Sequence, residues 1–268
     1  MTNRAQEFHR LHQSGCFVIP NPWDRGSARL LAGLGFPALA TTSSGIAWSL
    51  GRRDHEISLE EVLEHLRSLA AVVDVPISAD FEGGFASEPG AVAANVLAAT
   101  ATGIAGLSIE DATDEGVHPL FERSLAIERV RAARAAIDES GTGLVLTARS
   151  EGFLVGLPDM RETLDRLVAY AEAGADCLYA PGIRTREQIA EVVAAVKPKP
   201  VNVLVGTDFT TVAELAALGV RRISVGGALA RSAWTGFLDA ATEIATRGTF
   251  TALGRATSYA DINGSFPP

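Results

Sequence analysis

Asp80 and Glu82 stand one residue apart in SADFEGGFA, residues 78–86, where an apolar run gives way to two glycines. If VPISAD is a buried strand, alternation sends both acids to the same side, where two negative charges repel. Glu110 in SIEDAT ends a second apolar run, and Arg149 in TARSEGF ends a third. Three acids meeting at one place hold their protons more tightly unless a cation stands among them. A hard divalent cation answers that need. Mg²⁺ takes oxygen ligands and keeps several waters, so a few carboxylates and a substrate suffice to hold it. Arg149 then offers a planar fork for a carboxylate or phosphate. Plainer readings stand beside these: the acids as surface or salt-bridging groups, and Arg149 as a structural partner for one of them.

Short apolar runs must place these groups. FVIP (17–20), ALATT (38–42), PISAD (76–80), GLSIE (106–110), LVLTA (144–148), CLYA (177–180), VNVLV (201–205) and RRISV (221–225) read as strands. Segments of helical period fit between and after them, at 25–34, 58–73, 88–102, 124–139, 159–173, 185–196, 210–218 and 228–246. Ser58 with Glu61, and Thr185 with Gln188, have the spacing of capping boxes. Gly35, Gly103, Gly174 and Gly219 end helices just before the next strand. Eight β-then-α units predict an α/β fold, a (β/α)₈ TIM barrel. A doubly wound open sheet is the alternative. Residues 1–268 read as one barrel domain whose C-terminal helical extension exceeds what a barrel needs, so that it is free to pack on a neighbouring subunit.

Composition narrows the partners. A net charge of −9, a pI of about 5.1 and the absence of any lysine or arginine run argue against nucleic acid and anionic membranes. No apolar run reaches the length of about 20 residues that a bilayer requires, and the polar N-terminus lacks a signal peptide's apolar core. Cys16 and Cys177 sit in strand-like contexts and read as two buried thiols. A cytoplasmic enzyme is expected.

In such a barrel chemistry gathers at the C-terminal ends of the strands. Asn21, Trp23 and Asp24 follow the first strand; Ser43, Ser44, Gly45 and Asp54 follow the second. Asp111 follows Glu110, Ser150 and Glu151 follow Arg149, and Asn202 lies on the seventh. Ser43-Ser44-Gly45 offers backbone N–H groups and hydroxyls suited to an anionic oxygen. Gly226-Gly227 reads either as a phosphate site or, more simply, as a tight turn into the last helix.

These segments together resemble the isocitrate lyase/phosphoenolpyruvate mutase superfamily over roughly residues 8–245. The resemblance rests on NPWDRGSARLLAGLGFPALATTSSG, SLGRRDH, ADFEGGF, SIEDAT, TARSEGF and TVAELAALGV, in that order and spacing. It implies a homodimer or homotetramer that exchanges its last helix between subunits. It also implies Mg²⁺-dependent chemistry next to a 2-oxo acid through an enolate, with Mn²⁺ as the alternative metal. Carried over residue by residue, Ser43, Ser44 and Gly45 match the segment that holds the substrate's carboxylate and enolate oxygen. Asp80 matches the principal metal-site acid; Asp54, Glu82 and Glu110 match acids that hold the metal mostly through its waters. Arg149 matches the substrate-binding arginine. Asn202 falls near the family's strand-seven asparagine.

The loop after strand four departs from the family. Isocitrate and methylisocitrate lyases carry a Lys-Xaa-Cys-Gly-His type sequence there, and phosphonate mutases a lysine and an asparagine. This chain reads DATDEGVHPLFER. Only His118 in it has an ordinary pKa suited to a proton donor near neutral pH, since Asp114, Glu115 and Glu122 would need large upward shifts; a solvent-exposed histidine without a role is the plainer reading. Pro181 replaces the acid or histidine that many members carry after strand six. The expected function is a Mg²⁺-dependent lyase on a small 2-oxo or hydroxy carboxylic acid, cleaving a C–C bond or decarboxylating. The alternatives are a phosphoenolpyruvate or phosphonate mutase-type enzyme and a catalytically degenerate barrel that only binds an anion.

Overall fold

The computed structural model describes residues 2–113 and 116–266. Asp114 and Glu115 therefore lie outside the described residues. Eight strands, β1 (Phe17–Ile19), β2 (Leu39–Ala40), β3 (Ile77–Ala79), β4 (Gly106–Glu110), β5 (Val145–Arg149), β6 (Cys177–Tyr179), β7 (Val201–Leu204) and β8 (Arg222–Ser224), pair in parallel in the order β1-β8-β7-β6-β5-β4-β3-β2. The remaining edge is drawn together by the Ala40 N–H, which donates to the Pro20 carbonyl at 3.0 Å. The fold is the (β/α)₈ barrel, as expected, and not an open doubly wound sheet.

The strands alternate with helices whose ends carry the anticipated chemistry. Ser58 and Glu61 form a full capping box on α4 (Leu59–Ala70), and Thr185 and Gln188 form another on α8 (Arg186–Ala195). Gly35, Gly103, Gly174 and Gly219 all take positive φ, the left-handed turn that redirects the chain from helix to strand. The other outer helices are α2 (Arg25–Gly33), α5 (Pro89–Thr100), α6 (Arg123–Ser140), α7 (Met160–Glu172), α9 (Val212–Ala217) and α10 (Ala228–Arg247). Four elements go beyond the expectation: α1 (Asn3–Gln13), α3 (Ser43–Ser49), a 3₁₀ helix (Thr251–Arg255) and α11 (Tyr259–Gly264). No described helix is long and apolar enough to cross a membrane.

Helix α1 closes the N-terminal end of the barrel. Phe8 is fully buried with Phe17, Ala105, Val145 and Cys177, and a Cβ on Gly106 would stand 2.7 Å from its ring, so the strand needs glycine there. His12 follows Phe8 one turn on. Its Nδ1 contacts the Phe8 carbonyl at 2.7 Å, so Nδ1 carries the proton, and Nε2 then accepts from the Arg222 guanidinium at 3.4 Å. Burial, and next the neighbouring Arg222 charge, hold the imidazole down at a pKa of about 3. In the unfolded chain the same histidine titrates near 6.5. Its contribution to stability is therefore complete above pH 6.5 and is lost as the pH falls from there towards 3. We expect His12→Gln to be less stable than the parent at pH 7.5, with a gap that narrows by up to about 1.4 kcal/mol per pH unit below 6.5. Chemical denaturation at pH 7.5, 6.5 and 5.5 checks this; a constant gap would rule out the neutral buried state.

The interior row of strand register runs Glu110–Arg149–Tyr179–Asn202–Arg222 across β4 to β8. Parallel partners in register share a face, so this side of the barrel's interior is polar throughout. Arg222 donates to Asn202 Oδ1 at 2.9 Å and Thr147 Oγ1 at 3.0 Å, and Asn202 Nδ2 donates to Ser224 Oγ at 3.0 Å.

Candidate active site

A cavity of about 860 Å³ opens at the C-terminal ends of β2 to β5, lined among others by Ser43, Asp54, Glu82, Glu110 and Arg149. Arg149 holds it together. Its Nη1 donates to Asp80 Oδ1 at 2.7 Å and lies 3.0 Å from Glu110 Oε2, while Nε donates to Glu151 Oε1 at 2.8 Å. Nη2 has no hydrogen-bond partner among the described residues. The guanidinium carbon lies 5.1 Å from the centre of the Tyr179 ring, which limits its tilt. The plainer reading of Arg149 thus describes its resting partners: the acids already have a compensating cation, and it has three carboxylates around it rather than one.

Asp80 is fixed from both sides. Its Oδ2 accepts from the Ser43 N–H at 3.0 Å, and its own N–H donates to Thr41 Oγ1 at 2.9 Å. Glu82 reaches the cavity by a different route from the one alternation suggests. The strand ends at Ala79, and Glu82 takes a left-handed φ of 47°, so a turn rather than a pleat aims its carboxylate inward. His55, also left-handed at φ 65°, meets that carboxylate through Nδ1 at 3.1 Å. This bond first, and the neighbouring Asp54, lift the imidazole to about 9.

The charges do not cancel. Five carboxyl groups, on Asp54, Asp80, Glu82, Glu110 and Glu151, stand against three cations, Arg129, Arg149 and His55. Burial pushes Glu110 up to about 8 despite Arg149, and Glu151, Asp80 and Glu82 add to the rise. Glu151 is raised mainly by burial too. Burial alone would lower the Arg149 pKa, but Glu110, Glu151 and Asp80 outweigh it and the guanidinium stays charged. The carboxylate oxygens in this cluster are the donor type a hard divalent cation takes. Among the described residues no three acidic, histidine or cysteine side chains stand close enough to ligate a metal directly, so any ion here would have to be held largely through its waters.

The other expected site residues separate into two groups. Ser43, Ser44 and Gly45 open α3 beside Asp80: Thr42 Oγ1 caps the helix from the Gly45 N–H and meets Ser44 Oγ at 3.0 Å. A Cβ on Gly45 would stand 2.6 Å from Thr42 Cγ2 and 2.9 Å from Trp23 Cβ, so only glycine fits there. Asn202 and His118 are not brought to the cavity. Asn202 is buried in the polar interior row, and His118 is exposed on the hairpin closed by the Ala112–Leu120 bridge. Three of the remaining strand-end groups make contacts within the fold. Asn21 Oδ1 accepts from the Val225 and Gly226 N–H groups, Asp24 caps α2, and Asp111 accepts from Tyr170, Arg166 and the Glu151 N–H.

Sequence reasoning placed Glu151 at the end of the fifth strand without giving it a role, and missed His55 and Arg129 as lining residues. Glu151 was legible, because two residues after Arg149 it falls on the same side of an extended chain. Arg129 interrupts the apolar stripe of α6 formed by Ala126, Val130, Ala133 and Ile137, where a charge on a buried face is itself a signal. His55 gave none.

The phosphoenolpyruvate phosphomutase family profile matches residues 8–245. The chain belongs to that family. A Burkholderia cenocepacia J2315 protein provisionally assigned as a lyase/mutase has the same fold at a TM-score of 0.94 and 48% identity, covering 97% of this chain and 94% of that one. The oxaloacetate decarboxylase of Rhodopseudomonas palustris strain BisB5 is 30% identical over 194 residues, 69% of this chain and 65% of its own. An oxaloacetate acetylhydrolase solved with its product oxalate superposes at a TM-score of 0.86 with 26% identity, covering 97% and 93% of the two chains. The superfamily's members are lyases and mutases, and this chain is an enzyme of that group.

Proposed function

We propose that this family member is a Mg²⁺-dependent lyase that cleaves a C–C bond of a small 2-oxo or hydroxy carboxylic acid by way of an enolate. The observation that carries the reading is the gathering of Asp80, Glu110 and Glu151 around one arginine at the ends of three neighbouring strands. Asp80, Glu82, Glu110 and Asp54 would hold Mg²⁺, or Mn²⁺ in its place. When bound, the ion supplies positive charge beside the oxygen on which the enolate's charge develops. Arg149 clamps the substrate carboxylate through its open Nη2 edge. Ser43, Ser44 and Gly45 border the enolate side, and the cavity walls restrict water around the reacting bond. His118 takes part only if its hairpin closes over the cavity and carries it inward.

Oxaloacetate is the substrate we test first. In decarboxylation the electrons of the breaking C3–C4 bond pass to the 2-oxo oxygen and solvent protonates the resulting enolate to pyruvate, so that route needs no protein acid; hydrolysis would in addition need a water to attack C2. Two relatives of this chain are named for acting on it. With Mg²⁺ we expect oxaloacetate to be consumed; pyruvate with CO₂ marks decarboxylation, oxalate with acetate marks hydrolysis. Isocitrate and 2-methylisocitrate should react poorly, because the route of those lyases uses the loop cysteine this chain lacks. Robust glyoxylate release from isocitrate, or full turnover in excess chelator, would sink the proposal.

The same reading implies a homodimer or homotetramer. Helix α10 and the segment after it expose Trp234, Phe237, Leu238, Phe250 and Leu253 on one region, more apolar surface than solvent favours. A second copy of the chain would cover it. Light scattering should show a dimer or tetramer, and Phe237→Asp should shift it towards monomer. We place the protein in the cytoplasm on its two free thiols and acidic, uninterrupted metabolic-enzyme fold.

A further inference from the structure

Helix α6 carries a cation that the chemistry above leaves unused. Arg129 is 1% exposed and lines the cavity wall, yet no carboxylate lies within ion-pairing distance of it among the described residues. Its acceptors are backbone carbonyls instead. Nη1 donates to Glu110 O at 3.1 Å; Nη2 donates to Ala86 O at 3.0 Å and to Gly83 O. The Phe121 ring covers the guanidinium at 3.8 Å. A buried guanidinium without an acid is costly, and its Nε finds no partner among the described residues.

Those three carbonyls belong to two separate segments: the turn after β3, which carries Glu82, and the end of β4, which carries Glu110. The segments also touch directly, since the Glu110 N–H donates to Glu82 O at 3.1 Å. The turn is strained, with Glu82 and Phe85 both left-handed at φ 47° and 56°. Arg129 grips the carbonyls of Gly83 and Ala86, one just after each strained residue. Gly83 leaves it room, because a Cβ there would come within 3.2 Å of Nη2.

We infer that Arg129 is a positioning residue for the metal-site carboxylates: by tying the Phe81–Ala86 turn to the end of β4 it sets Glu82 and Glu110 at their spacing on the cavity wall. The inference rests on the magnesium reading. A planar fork is essential to it, since one nitrogen cannot reach carbonyls on both segments in the same geometry.

Arg129→Lys keeps the charge and loses the fork. The test is a Mg²⁺ titration of the full-length protein, following the rise in Tm, with kcat and KM measured at low and saturating Mg²⁺. We expect the half-saturating Mg²⁺ concentration to rise by about 10–100-fold, the range for outer-shell supports of a metal site. We expect kcat to recover most of its loss at saturating Mg²⁺. A lower Tm at every Mg²⁺ concentration with an unchanged half-saturation point means a plain helix-to-barrel anchor and overturns the inference. Should Arg129→Lys fail to fold, Gly83→Ala serves, since its methyl displaces Nη2 by a few tenths of an ångström and should raise the half-saturation point in the same direction; an unchanged value in the folded Gly83→Ala protein overturns the inference as well. If the parent protein gains no stability from Mg²⁺, the magnesium reading falls and takes this assignment with it.

Discussion

Arg149→Met is expected to abolish turnover and to cost the folded protein about 3–5 kcal/mol at pH 8, the scale for removing one partner from a buried ion pair. The side chain is 13% exposed, and the carboxylates it serves on Asp80, Glu110 and Glu151 are 20%, 8% and 5% exposed. Methionine fills much of the volume and satisfies none of them. Glu110 and Glu151 are already raised above the ordinary carboxylate value with the arginine present, Glu110 to about 8. A carboxyl whose folded pKa lies above its unfolded value of 4.5 destabilises the fold at high pH. The penalty is relieved as the pH falls through the folded value towards 4.5. Without Arg149 both should rise further, so the deficit should shrink between pH 8 and pH 5.5. Arg149→Lys should fall between parent and methionine variant, losing about 1–3 kcal/mol, because one ammonium cannot reach Asp80, Glu110 and Glu151 together. If lysine folds well but KM for the substrate acid rises, the open Nη2 edge is the anion clamp. Denaturation at the two pH values, run beside steady-state kinetics, measures all of this; parental stability and turnover in Arg149→Met would end the assignment.

The rhythm of the barrel was legible because each strand is a short apolar run followed by a helix with its own start and stop signals. Ser58, Thr185 and the four positive-φ glycines do locally what the sequence says they should. Helix α3 was not legible. Ser-Ser-Gly reads as a turn, and the segment is helical because Thr42 caps it and Ile46 and Ala47 are buried against the barrel. Helix α1 hides in a polar segment whose buried stripe is only Ala5, Phe8 and His12. The site divides along the same line. Residue type and strand-end position picked out Glu82, Glu110, Asp54, Ser43 and Arg149, which line one cavity, and Asp80, which bonds to Arg149 and Ser43 beside it, but not what each would touch. Arg149 meets Glu110 because β4 and β5 pair with those two residues in register, a long-range fact that no local pattern encodes. Asn202 has the right type and strand for a substrate contact, yet the same register sets it beside Arg222, whose guanidinium claims its carbonyl oxygen. Glu82 arrives through a left-handed backbone that alternation cannot foresee.

Asp80→Asn should separate the metal's role from the arginine's. Asp80 gives one oxygen to the Ser43 N–H and the other to Arg149 Nη1. An amide of the same size keeps one acceptor and turns the second into a donor, which faces a donor whichever way the group is flipped. That loss costs about 1–3 kcal/mol. It is offset because the change removes a negative charge from a site that holds a surplus of them, so the metal-free Tm should stay close to the parent's. The response to Mg²⁺ should not survive. A ligand that binds only the folded state raises stability by RT ln(1 + [L]/Kd), so the Tm rise on adding Mg²⁺ reports the site without any need for substrate. In Asp80→Asn we expect that rise to vanish and kcat/KM to fall by about 10²-fold or more, the scale for removing one preorganised electrostatic contact at the reacting centre. Arg149→Lys, by contrast, should keep a Mg²⁺-dependent rise while losing affinity for the acid. If Asp80→Asn retains both the Mg²⁺ response and turnover, these carboxylates do not hold the metal, and Asp80 serves only to seat Arg149 against α3.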